Sequence, residues 1–167
     1  MGRGATIASG NVWYEARIEA AKTNEKLKSR FGAADEAGMS EDAIKNTELG
    51  LEKQMPVDKA VILADLYGAP QLLNHYCLKE CPIGRNRPLS DEMLTIDRVT
   101  VKFLKRLRTE QLREMKKKLI DIADDGKVTH DEVESLKEVR DFMDDLYKTI
   151  SEFRNIVEQI TVTQEQP

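Results

Sequence analysis

The sequence predicts an all-α protein in two parts: a five-helix N-terminal helix-turn-helix domain, then a long two-helix coiled-coil or hairpin tail. Three observations predict it. Aromatic residues are only 5% of the 167 residues and charged residues 34%, lean for a deep core and normal for amphipathic helices. Arg30 to Gly50 carries the spacing of two short helices around a tight turn. From Ser90 to Gln166 there is no proline and one glycine, Gly126. The expected divisions are a flexible tail at 1–10, the helix-turn-helix domain at 11–84, a linker at 85–90, an oligomerising helical segment at 91–161 and a disordered tail at 162–167.

In chain order, Asn11 is the first candidate N-cap. Val12, Trp13, Ala16, Ala20 and Leu27 then form one stripe at helical spacing, predicting a helix to about Lys28. Ser29 or Arg30 starts the next, which runs to Glu36. Gly38 reverses the chain, since glycine takes positive φ without steric cost. Ala34 admits a close neighbour, and Ile44 plugs the angle between the helices. Ser40 caps a third helix that runs to Glu48, with Glu41 and Asp42 in the first turn, where the helix dipole favours them. Gly50 is a candidate C′ residue. Pro56 opens a fourth helix at a permitted first-turn position, with Val57, Val61, Leu63, Ala64 and Leu66 as its apolar face. Gly68 and Pro70 end it. Gln71 to Lys79 form a fifth, and Pro82, Gly84 and Pro88 close the domain.

The tail is expected to hold two long helices, about 91–123 and 130–161. At 1.5 Å per residue each is roughly 45–50 Å long. Leu136, Met143, Ile150 and Val157 fall seven apart, as do Val139, Leu146, Phe153 and Ile160, an a/d seam. In the first helix Leu112, Met115, Leu119 and Ile122 keep the spacing. Carried backwards, that register meets Lys105 and Arg108 instead of Val101, Leu104 and Leu107. The helices differ in charge: residues 98–119 hold nine basic and two acidic side chains, residues 129–160 four and nine. Pairing within one chain or between two would bring these fields together.

Net charge is −4, so nucleic-acid binding cannot rest on overall basicity. Two cysteines are too few for a disulfide scaffold, and no apolar run reaches the roughly 18 residues of a membrane span. The expectation is a cytoplasmic protein with no membrane partner. No catalytic triad order, phosphate-binding glycine loop or apolar carboxylate pair stands out, so no enzyme and no cofactor is expected. His75, Cys77 and Cys81 supply three soft ligands where structural zinc takes four. They are read as packed side chains, with metal the alternative. Asp121 to Glu132 has the letters of a calcium loop at Asp121, Asp125, Gly126 and Glu132, but Ala123 offers no oxygen at the third position. The same letters make a turn with a Thr129–Glu132 capping box, and that reading is preferred.

Arg30 to Pro70 resembles the XRE/Cro-repressor type of helix-turn-helix domain, which is lambda-repressor-like. The likeness rests on Ala34–Gly38–Ile44, Glu48-Leu49-Gly50, Pro56 and Ile62-Leu63-Ala64-Asp65-Leu66-Tyr67. Tyr76-Cys77 and Cys81-Pro82-Ile83-Gly84 are similar to a subgroup found in Gram-positive anaerobes and their prophages. The resemblance implies a third helix that reads the major groove from its N-terminal half. Groove-facing positions then fall on Ser40, Glu41, Asp42, Lys45 and Asn46, and backbone contacts on Arg30, Lys53 and Gln54. It implies a homodimeric DNA-binding transcription regulator, a repressor of bacteriophage or mobile-element type, whose partners are operator DNA and a second copy of itself. Glu41 and Asp42 depart from the family's usual Gln, Arg, Ser or Thr. Two carboxylates facing a polyanion are unfavourable unless each accepts a hydrogen bond, as from cytosine N4. The alternative is therefore a protein-interaction module on the same scaffold, an antagonist or nucleic-acid mimic.

Overall fold

The computed structural model describes residues 8–123, 128–130 and 132–165. Among these the protein is all-α, with eight α-helices and no strand. The helices are α1 (Val12–Ala20), α2 (Arg30–Ala37), α3 (Glu41–Glu48), α4 (Val57–Leu66), α5 (Gln71–Lys79), α6 (Ile96–Arg106), α7 (Thr109–Ala123) and α8 (Glu132–Glu165). They fall into two compact units, one of residues 1–86 with 158–167, the other of residues 87–157.

In the first unit the helix ends follow local chemistry. Asn11 caps α1, its side chain accepting from the amides of Trp13 and Tyr14. The stripe expected to run to Lys28 is interrupted. Thr23 Oγ1 donates to the Ala20 carbonyl at 3.1 Å, and Asn24 caps a separate 3-10 turn at Glu25–Lys28. Both side chains compete with helical continuation. Gly38 closes α2 at φ 64°, with the Met39 amide donating to Ala34 O at 2.9 Å and the Gly38 amide to Asp35 O at 3.2 Å. Ser40 caps α3 by accepting from the Ala43 amide at 3.1 Å. Leu51 and Gly50 close α3 in the same two-bond pattern as α2.

The core of this unit joins Trp13, Leu27, Ala34, Ile44, Leu63 and Leu72 to a set of alanines. Small side chains let the helices approach closely where Ala33, Ala60 and Ala64 meet them. One expectation is corrected on α4. Val57 is 61% exposed and Val61 is also in solvent, while Ala60, Leu63 and Ala64 turn inward with the stem of Lys59. The expected face mixed two stripes of the helix.

The second unit departs further from expectation. The single helix expected over 91–123 is two, broken at Leu107 and Arg108. Leu107 leaves helical geometry at ψ 23°. The break lies where the apolar register fails: Val99 and Phe103 face inward before it, Met115 and Ile122 after it. A continuous helix would have turned charged Arg106 and Glu110 toward the interior positions. Thr129 donates to Glu132 Oε2 from its amide at 2.7 Å and its hydroxyl at 2.9 Å ahead of α8. α8 continues to Glu165, beyond the end expected at 161.

The seam of α8 is also corrected. Val139 is buried, and Leu146 and Phe153 are partly buried, as the heptads predict, but Ile160 of the same expected column is 41% exposed. The second inward column is Phe142, Thr149 and Ile156 in place of the expected Met143, Ile150 and Val157, while Leu136 is partly buried as expected. Met143, Ile150 and Val157 are 58%, 39% and 43% exposed. Phe103 of α6 packs on Phe153, ring centroids 5.7 Å apart. Buried polar groups fix the pairing: the Ser90 amide donates to Ser151 Oγ at 3.0 Å, and Asn155 Nδ2 donates to the Ser90 carbonyl at 3.2 Å. The Lys102 ammonium lies 2.6 Å from the buried Glu152 carboxylate.

Candidate functional site

The α2–turn–α3 unit is anchored from behind by charged side chains. Glu48, at the end of α3, is fully buried and meets two arginines. Arg17 of α1 donates from Nε and from Nη2, the latter at 3.2 Å. Its Nη1 donates to the Leu27 carbonyl at 2.7 Å. Arg30, first residue of α2, donates from Nε to Glu48 Oε2 at 2.7 Å. One carboxylate thus ties α1 and α2 to α3, its single negative charge shared between the buried Arg17 and the half-buried Arg30. Tyr67 shares this interior. Burial raises its phenol pKa well above the ordinary value, the Glu48 carboxylate adds to the rise, and Arg17 opposes it.

Two further contacts hold the same helix. Asn11 Nδ2 donates to the Thr47 carbonyl at 3.1 Å. Lys59 of α4 donates to the Ala43 carbonyl at 2.7 Å and pairs with Glu52. Ile44, Thr47 and Glu48 therefore form a fixed buried side of α3.

The opposite side faces solvent. Ser40, Glu41, Asp42 and Lys45 are exposed and Asn46 is partly exposed. Lys53 and Gln54 are exposed on the connection that follows. Ser40, Glu41 and Asp42 at the start of α3 and Lys45 and Asn46 in its last turn thus lie off its buried side. Asp42 and Lys45 lie 3.9 Å apart, an open ion pair worth little. Arg30 differs from the other candidates. It is half-buried and its Nε is committed to Glu48, leaving only the remaining guanidinium edge for another partner.

The other candidates are dispersed. His75, Cys77 and Cys81 are half-buried on or just after α5, and both cysteines are free thiols. Burial raises the Cys77 thiol pKa, and Cys81 adds to the rise, the reverse of what a reactive thiolate needs. Among the described residues no group of three His, Cys, Asp or Glu side chains is placed to hold a metal. The Cys77–Gly84 segment has a steric logic instead. A Cβ on Gly84 would stand 2.4 Å from the Cys77 carbonyl oxygen, so only glycine allows this turn onto α5. In the calcium-loop segment Asp121 is exposed and Glu132 binds Thr129, while Asp125 and Gly126 lie outside the described residues.

Sequence reasoning missed Arg17, Glu48 and Lys59 as the residues that fix α3. Their signal is weak, because charged side chains on short helices read as solvated surface unless the fold brings them together. Among the described residues no helix is long and apolar enough to cross a membrane. Comparison with family models, with curated proteins and with solved structures finds no match to this chain.

Proposed function

We propose that the protein is a sequence-specific DNA-binding regulator, a repressor of phage or mobile-element type, that reads the major groove with the side of α3 turned away from its buried face. The observation that carries this reading is the division of α3 into two sides. One is fixed by Ile44, Glu48 and the Lys59 contact; the other offers Ser40, Glu41, Asp42 and Lys45 to solvent. A reading helix needs both a rigid support and a free polar edge.

In this reading Asn46 pairs with an adenine edge, and Glu41 or Asp42 accepts from cytosine N4. Lys45, Lys53 and Gln54 meet phosphates, as does the free edge of Arg30, and these contacts set register rather than sequence. The Ser40 hydroxyl keeps its own proton for a phosphate while its oxygen caps α3. Two copies, joined through residues 91–161, would read the two halves of a pseudo-palindromic site.

A second reading has its own support. Glu41 and Asp42 stand in front of the exposed end of α3, and Glu48 holds back part of Arg30. That surface suits a cationic protein partner, which would make the chain an antagonist or nucleic-acid mimic.

Capture of fragmented genomic DNA on the immobilised protein, at low and at physiological salt, separates the two. The regulator returns one short recurring sequence. Absence of retained DNA even at about 50 mM salt, where phosphate contacts are strongest, sinks the regulator reading and leaves the interaction module.

A further inference from the structure

Within the second unit, α7 and α8 leave a groove of about 370 Å³ open between them. Its walls are mostly aliphatic and aromatic: Leu112, Leu119 and Ile120 on α7, and Val139, Phe142 and Met143 on α8. Leu112 and Leu119 are seven apart, so the trough runs about two helical turns, roughly 10 Å. Over that length a partner helix presents apolar residues at i, i+3, i+4 and i+7.

The charges differ on the two sides of this helix pair. On the closed side, Lys118 of α7 lies 3.2 Å from Glu114 of its own helix and pairs with Glu138 of α8. On the open side, Lys116 stands in the groove wall, with Arg113 and Lys117 beside it on α7. All three are exposed, and none forms an ion pair among the described residues. By helical spacing Glu110, Glu114 and Asp121 lie away from the groove wall. On α8, Arg140 pairs with Asp141 and also feels Asp144, so that bank holds no surplus of positive charge. The uncompensated charge of the groove is therefore cationic and sits on its α7 side.

We infer that the α7–α8 groove is a docking site for an acidic amphipathic helix of another protein. The partner's apolar stripe fills the trough, and its acidic edge lies along α7 against Arg113, Lys116 and Lys117. A nucleic-acid backbone would answer the cations and leave the aliphatic walls without an apolar partner. A bilayer surface would need apolar side chains standing out of the protein rather than lining a trough. The site lies in a different unit from α3 and depends on neither reading of that helix.

The test uses the full chain and fluorescent peptides of about 15 residues, near the shortest length at which an isolated helix holds. The first carries leucines at i, i+3, i+4 and i+7 with glutamates along one edge. The second has lysines for the glutamates, and the third keeps the glutamates but has serines for the leucines. Fluorescence anisotropy should show micromolar binding of the first peptide and binding roughly tenfold weaker, or less, of the other two. Lys116→Glu with Lys117→Glu should weaken the first peptide roughly tenfold and strengthen the second. Ile120→Gln should weaken the first by a similar factor, and if it loses helicity by circular dichroism the charge exchange decides. Equal binding of the first two peptides would overturn the inference. So would a third peptide that binds as tightly as the first, or a helical charge-exchange variant that binds the first like wild type. Displacement of the first peptide by equal concentrations of a short DNA duplex or of phosphatidylglycerol vesicles assigns the cations to a phosphate backbone or a bilayer, and sinks the acidic helix. Absence of binding by the first peptide sinks it too. A two-chain mass that Ile120→Gln converts to a single-chain mass would then give the groove to a second copy.

Discussion

Arg17 of α1 and Glu48 of α3 form a buried, two-pronged ion pair across 31 positions of sequence, each side chain less than a twentieth exposed. Arg30 completes the cluster from α2. This junction decides how α3 sits on the rest of its unit, and so which of its residues face outward.

Removing the carboxylate alone should cost more than removing it together with the buried Arg17, since the half-buried Arg30 can turn to water. Glu48→Gln leaves Arg17 buried without a counter-charge and should destabilise the first unit by about 3–5 kcal/mol. Arg17→Met with Glu48→Leu should recover most of that loss, because buried pairs often match apolar replacements of similar volume. Trp13, the only tryptophan, is buried in the same unit and reports its urea transition by fluorescence.

The two turn glycines should fail for different reasons. Gly38→Ala meets no atom within 4 Å but must hold φ at +64°, a cost of about 1 kcal/mol. Gly38→Asn should cost less, since asparagine tolerates this conformation better. Gly84→Ala meets Cys77 backbone at 2.4 Å and must displace it, costing about 1–3 kcal/mol or more. Thermal melts of the three variants followed by Trp13 fluorescence rank them.

Alkali should loosen the first unit through Tyr67. The folded-state phenol titrates above its ordinary value of 10.0, chiefly through burial and then through Glu48. The unfolded chain therefore releases this proton first. The stabilisation is whole below pH 10 and is lost as pH rises from there toward the raised folded-state value. Tyr67→Phe should flatten the alkaline limb of stability against pH while leaving the curve between pH 6 and 9 unchanged in shape. An unchanged alkaline limb would assign the loss to other groups.

Under the regulator reading, α3 and the connection that follows it divide into specificity and affinity. Asn46→Ala should cost about 1–3 kcal/mol at one base position and relax selectivity there. Lys53→Ala should weaken binding uniformly across sequences and reduce the salt slope by about one. Titration of both variants against the recovered sequence and a scrambled duplex, over a salt series, tells these effects apart.

Much of the helix pattern was legible because its causes are local. Asn11, Ser40, Gly38 and Gly50 act through their own backbone and nearest neighbours, so the ends of α2, α3 and α5 fall within a residue of where the letters put them. The break between α6 and α7 was half legible: the heptads lost register there, but periodicity alone does not say whether a helix absorbs the fault or stops. On α4 and α8 the pattern supplied more apolar positions than one face can bury, and only packing selected among them. The exposed candidates on α3 were legible as positions off its apolar stripe; the loss of Arg30 to Glu48 was not.

By itself the sequence determined the all-α class and the turn at Gly38, since propensity, caps and periodicity are short-range properties. The tertiary structure decided the rest. It chose Ala60 over Val57 on α4 and Phe142 over Met143 on α8, and it drew Arg17, Arg30 and Glu48 into one buried cluster. These choices depend on which side chains fill a shared interior and on charges that stabilise one another only after leaving water together. Neither condition exists until distant segments meet.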